Sequence, residues 1–150
     1  MTTTQQLATF YLDRLLFGIE VEKVQEVLRY QEMTRVPLAS RAVEGLINLR
    51  GQIVTAIDLR QRLELGVREP GALPMNVVVR TDDGAVSLLV DEIGDVLEVD
   101  DATFEQPPET VRGVARELIR GVHKLRDELL LVLDTERAVD LDGAETRDAN

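Results

Sequence analysis

The chain repeats itself, and that repeat limits the folds open to it more than any other feature. IEVEKVQEVL (19–28) returns as LLVDEIGDVL (88–97), an offset of 69, with Val21/Val90, Val27/Val96 and Leu28/Leu97 identical. Glu22/Asp91 and Glu26/Asp95 keep the acid, and Val24/Ile93 keeps the branched apolar side chain. GLINLRGQIVTAIDLRQRL (45–63) returns as GVHKLRDELLLVLDTERAV (121–139), an offset of 76, with Gly45/Gly121, Leu49/Leu125, Arg50/Arg126 and Asp58/Asp134 identical. Both blocks keep their order, so residues 7–64 and 76–141 read as two copies of one unit. A unit that small buries too little surface alone, which favours two copies sharing a core.

Each copy parses into the same elements. A strand (Ala8–Leu12; Asn76–Arg80) meets a polar turn and a second strand (Leu16–Glu20; Ala85–Val90). The segments V-E-K-V and V-D-E-I place apolar residues three apart, which predicts one helical turn in each copy. A short strand ending in Val-Leu and a closing hairpin follow, with a tight Arg-Gly turn in the first copy and Arg-Asp-Glu in the second. About five strands and one short helix per copy predict a mainly β fold of two small barrels. Asp58 and Asp134 stand where a strand stops and a helical pattern starts, so they read as helix N-caps. They are poor candidates for a catalytic pair, since duplication places them in separate halves.

Residues 64–75, with Gly66, Pro70, Gly71 and Pro74, form the connector. Residues 102–121 are an insertion: a Pro-Pro loop, then a helix with Val111, Val114, Ala115, Leu118 and Ile119 on one face. Arg112, Arg116 and Arg120 fall on its opposite face, predicted to be solvated. The tail from Asp140 is acidic and apolar-poor, and residues 142–150 are expected to be disordered.

Aromatics make up 3% of the chain and tryptophan is absent, so the core must be built from Val, Leu and Ile. A net charge of −11 repels phosphate backbones and anionic lipid, which argues against nucleic acid and membrane partners. No apolar stretch approaches the ~18 residues of a membrane span, and the start lacks the features of a secretory signal. The chain has no cysteine, which removes disulfides and thiolate chemistry, and the cytoplasm is the expected compartment. His123 is the one histidine; it is predicted to face solvent on the polar side of a strand. No nucleophile–base pair, phosphate-cradling glycine loop or metal-ligand cluster is evident, so neither enzymatic activity nor a cofactor is expected.

Arg50 stands at a hairpin tip, where its stem can lie on apolar neighbours while the guanidinium faces water. Val24, Val27 and Leu28 around Glu26 are more apolar surface than a small barrel can bury. An exposed apolar patch with a charged rim is predicted, the character of a protein interaction site.

GIEVEKVQEVLRY, MTRVPL, VEGLINLRGQIVTAIDLRQRL and LLVDEIGDVLEV closely resemble the CheW-like family, the coupling proteins of bacterial chemotaxis, from about Leu7 to Leu141. The resemblance implies one domain, 7–141, of two intertwined five-stranded SH3/OB-like barrels, whose spatial subdomains need not match the sequence halves. It implies a non-catalytic cytoplasmic adaptor in signalling arrays, membrane-proximal only through its receptors. Its partners would be the hairpin tip of methyl-accepting chemoreceptors and the regulatory domain of a CheA-type histidine kinase. On the matching residues it implies partner binding at Arg50 and Glu26, paired across adjacent strands, with Val24 and Gly45 beside them. It also implies a groove between the barrels walled by Val27, Val77, Val90 and Val96. The first hairpin, FYLDRLLFGI, departs from the family in its short turn, and Ser87 stands where a glycine or other small residue is expected. The same coupling role in a pilus-motility or developmental array remains an alternative, as does a small ligand-binding or acid–base double barrel.

Overall fold

The computed structural model describes residues 3–141, so the expectation for the tail at 142–150 lies outside the described residues. Eleven strands are found among them: β1 (Thr4–Leu12), β2 (Leu15–Glu20), β3 (Val24–Leu28), β4 (Val43–Leu49), β5 (Gln52–Asp58), β6 (Met75–Thr81), β7 (Gly84–Val90), β8 (Glu92–Asp100), β9 (Phe104–Glu105), β10 (Ile119–Lys124) and β11 (Leu129–Leu133). Three short helices accompany them: α1 (Leu59–Arg62), α2 (Gly113–Leu118) and α3 (Thr135–Val139). No helix among the described residues is long and apolar enough to cross a membrane.

The strands form two sheets, ordered β8-β1-β2-β11-β10-β9 and β3-β6-β7-β5-β4. The duplication relates β1, β2, β8, β10 and β11 to β6, β7, β3, β4 and β5, and the two orders then coincide. Even the single parallel pairing recurs, β2 with β11 and β5 with β7. Each sheet takes its hairpin from one half of the chain and its other strands from the other half. The barrels are therefore intertwined, and the spatial units do not follow the sequence halves.

Strand alternation divides the apolar residues among three cores. Leu16, Leu130 and Val132 point into the six-stranded barrel, while Val54, Ala56, Val78 and Leu89 fill the five-stranded one. Neighbouring positions on the same strands, among them Phe17, Ile19, Ile57, Val77, Leu88, Val90, Leu131 and Leu133, meet in a third core between the barrels. This explains why LLLVL at β11 is apolar throughout: one face lines its own barrel and the other lines the shared core. The capping expectation is met in both copies, since Asp58 accepts from the Arg60 N–H and Asp134 from the Arg137 N–H. The symmetry extends to the backbone, where Asp58 N donates to Ala42 O and Asp134 N to Leu118 O, both at 2.7 Å.

Four local expectations are corrected or resolved. Val21–Lys23 forms the helical turn, but its repeat does not, because β8 begins directly after Asp91 and runs to Asp100. The insertion helix ends at Leu118, which leaves Arg120 on β10, paired to Glu20 at 3.1 Å. Arg116 instead donates to Pro108 O and Val111 O and folds the Pro-Pro loop back onto the helix. Ser87 is fully buried; its hydroxyl donates to Asn76 Oδ1 at 2.7 Å, and Asn76 Nδ2 donates to Arg29 O at 3.1 Å, so the polar pair is satisfied. The short first turn is a two-residue loop with Asp13 and Arg14 both at positive φ, 49° and 71°, a geometry suited to the twist of the hairpin.

His123 is the largest departure, at 2% exposure. His123 lies opposite Leu130 of β11 and so points into the six-stranded barrel, and the insertion supplies β9, which pairs with β10 beside it. Thr103 Oγ1 lies 2.9 Å from His123 Nδ1, and the Phe104 ring packs 5.4 Å from the imidazole. Gly121 makes the room, since a Cβ there would stand 2.3 Å from Phe104 Cζ. Burial holds the imidazole below its ordinary range, against the opposing charges of Asp101 and Asp100. A depressed folded pKa favours the neutral ring, so its stabilisation is complete above the unfolded value of about 6.5 and declines as the pH falls below it. Melting temperature measured from pH 8 to pH 5 should fall more steeply for the native chain than for His123→Gln; parallel profiles would refute this linkage.

Candidate partner-binding surface

The β4–β5 turn is built by its own sequence. Leu49 faces Gln52 in register, leaving a two-residue loop with Arg50 at φ 52° and Gly51 at φ 88°. Both positions of such a turn need positive φ, which glycine supplies without strain and arginine does not. Asn48 steadies it by accepting from Gly51 N through Oδ1 at 2.8 Å. The Asn, Arg and Gly of the repeated string thus have distinct duties: one fastens the turn, one is displayed, one permits it.

The Arg50 guanidinium donates to the Glu26 carboxylate. The pair does not cross adjacent strands, as the sequence suggested. β3 and β4 are the opposite edges of their sheet, and the ion pair bridges the seam where the curled sheet closes. Thr34 helps to close that seam by exchanging backbone hydrogen bonds with Leu46 at 2.9 and 2.8 Å. Arg50's side chain is 70% exposed and Glu26's 20%, so the arginine is the group on display and the glutamate its support. The hydrogen bond from Arg50, opposed by partial desolvation, leaves the Glu26 carboxyl below its usual range.

The other expected site residues separate into three groups. Val27 and Val96 are exposed, at 41% and 56%. Val24 is half-buried and packs onto the shared core. Val77 and Val90, expected to wall a groove, are 2% and 0% exposed; their strands put these side chains into the core between the barrels, not on a groove wall. Gly45 is also buried, and a Cβ there would lie 2.7 Å from Thr34 O and 3.0 Å from Met33 Cβ. Its duty is to let residues 33–34 close the seam.

Two features escaped the sequence reading. Asp91, at the crossing from β7 to β8, accepts from Arg60 Nε and NH2 at 2.9 and 2.6 Å, from Arg68 Nε at 3.2 Å and from Asp13 N at 2.9 Å. Arg68 also reaches Asp58 at 3.0 Å. Burial pushes the Asp91 carboxyl up, but the hydrogen bonds from Arg60, Asp13 N and Arg68 outweigh it and leave the group below its usual range. This network ties the β1–β2 turn, α1 and the connector together, and it neutralises carboxylates that would otherwise resemble a catalytic cluster. Only the matched acids Glu22 and Asp91 hinted at it. The second feature is an apolar cleft of about 470 Å³ lined by Leu15, Leu63, Leu65, Val111 and Leu129, with Arg14 also in its wall. Its walls come from segments distant in sequence. No group of three metal-ligating side chains occurs among the described residues.

Two outcomes test this geometry. Gly45→Ala should destabilise the fold by about 1–3 kcal/mol, as forced overpacking does, read by denaturant unfolding. NMR titration of the Glu26 carboxyl should give a midpoint below that of ordinary glutamates, moving up in Arg50→Ala; no movement would mean that the pair does not persist in solution.

Comparison with known proteins locates this architecture. Residues 6–142 match the CheW-like domain family. The chain is 32% identical over 136 residues to the chemotaxis protein CheW of Treponema pallidum (strain Nichols), covering 88% of this chain and 80% of that protein. It is 29% identical over 144 residues to the chemotaxis protein CheW of Bacillus subtilis (strain 168), covering 96% and 92%. Among solved structures, the scaffolding protein TtCheW from Thermoanaerobacter tengcongensis superposes with a TM-score of 0.84 at 26% identity, covering 94% of this chain and 96% of that one.

Proposed function

The chain belongs to the CheW-like family, and from that premise we propose that it couples the hairpin tips of chemoreceptors to a CheA-type histidine kinase. Proteins of this family are non-catalytic scaffolds of chemotaxis, and the finer assignment rests on the surface just described. We place the working unit at residues 7–141 and its compartment in the cytoplasm, as expected for a partner of receptor tips.

The observation that carries the reading is Arg50. It stands at the hairpin tip, held by Glu26 yet largely exposed, so its guanidinium is presented outward in a fixed place. Val27 and Ile53, 61% exposed, supply apolar surface on the same barrel. A guanidinium beside desolvatable apolar area is the composition of an interface anchor. Val27 and Val96 would meet the receptor's helices, a helix-in-groove mode. Val77 and Val90 would back that wall from the interior, and Val24 would support it from the half-buried edge. The kinase's homologous domain would dock at a barrel end. Because each contact repeats in an array, individually weak contacts suffice.

In pull-down or titration with purified kinase regulatory domain and receptor hairpin tip, Arg50→Ala should weaken binding to at least one of them by about tenfold, with the melting temperature little changed. Unchanged affinity for both would overturn the assignment.

A further inference from the structure

The segment that links β3 to β4 is basic in an otherwise acidic molecule. It holds Arg29, Arg35 and Arg41 against a single acid, Glu32, in a chain of net charge −11. All three arginines are exposed, and among the described residues none of their guanidinium groups meets a carboxylate. Arg50, Arg60, Arg68, Arg120 and Arg137 each do.

The tip of the segment breaks two rules at once. Ala39 N donates to Val36 O at 3.4 Å, closing a turn with Pro37 second and Leu38 third. Leu38 has φ 64°, and a turn with proline second and positive φ third favours glycine there. Nor is the leucine buried: its exposure is 105%, with Val36 also exposed beside it. Neither backbone conformation nor core packing rewards this side chain, so its reward lies outside the chain. The loop is also braced on both sides, by the exchange between Thr34 and Leu46 and by Val43 N donating to Ser40 O at 2.9 Å. It is a pre-shaped knob, so little ordering is lost when it docks.

We propose that residues 35–41 form a second docking element, in which Leu38 enters an apolar pocket on an acidic protein partner and Arg35 and Arg41 meet carboxylates at its rim. The proposal rests on the scaffold reading above and adds the character of the partner's surface: apolar at the centre, negative around it. The loop shares its barrel with the Arg50–Glu26 seam, through the same residues 33–34 that Gly45 admits, so one partner can touch both. An anionic bilayer is the other surface that a basic, leucine-tipped loop could suit. The acidic body of this chain repels such a surface, which favours the protein.

Leu38→Gly separates binding from folding, because glycine relieves the backbone. The variant should melt at the same temperature as the native chain or higher, yet bind the purified kinase regulatory domain or receptor hairpin tip about tenfold more weakly. Arg35→Ser combined with Arg41→Ser should flatten the salt dependence of that affinity. If Leu38→Gly binds both partners normally while Arg50→Ala does not, the loop assignment fails and the scaffold reading stands. If the native chain binds neither partner, both fail. Binding of the native chain to phosphatidylserine vesicles that is lost in Leu38→Gly would assign the loop to a bilayer and overturn the proposal.

Discussion

The exchange of hairpins between the two halves is the constraint on which the rest of this structure depends. Because β1–β2 completes a barrel made otherwise by the second half, and β6–β7 one made by the first, strands at the centre of each sheet are covered on both faces. Their alternate side chains fill a barrel on one side and the shared core on the other. Such a core is close-packed and does not deform by degrees. The two barrels are thereby set in one relation, and surfaces on either of them keep a constant geometry. A scaffold without chemistry of its own needs that constancy.

On this symmetric frame the surfaces have diverged. The β4–β5 turn is two residues with Arg50 paired to Glu26. Its counterpart is a longer loop closed by Leu125 N donating to Glu128 O, and the equivalent Arg126 and Asp95 make no ion pair with each other. Arg60, half-buried on α1 and paired with Asp91, has Glu136 as its counterpart. The backbone tolerates these changes because the exchanged cores carry the fold, while turn residues and helix starts lie outside them. One fold can thus present two unlike faces.

Much of the architecture could be read from periodicity and repetition. The strands, the connector and the two capping aspartates follow from local patterns, which depend on neighbours a few residues apart. The display of Arg50 was legible because a hairpin tip is exposed wherever the hairpin goes. What failed was any statement that depended on the strand's far side. Val77 and Val90 alternate correctly, but alternation does not say whether a face meets water or a second barrel. His123 reads as a surface residue until its face, shared with Leu130, is seen to line the barrel, and the neighbouring β9 belongs to an insertion with no counterpart in the first copy to signal its place. The Asp91 network was hidden for the same reason: Asp13, Arg60, Arg68 and Asp91 are brought together by the swap.

By itself, then, the amino-acid order determined that there would be two like β units, where their strands and turns fall, and that Arg50 stands at a tip. Those properties are local, set by apolar spacing, turn chemistry and the conformational limits of single residues. Only the tertiary structure decided which strands pair, that Arg50 and Glu26 span the seam of a closed sheet, that Gly45 serves packing, and that Leu38 is left in water. Each of those depends on which face lies against which, and that is settled by the burial of whole surfaces when the hairpins change places.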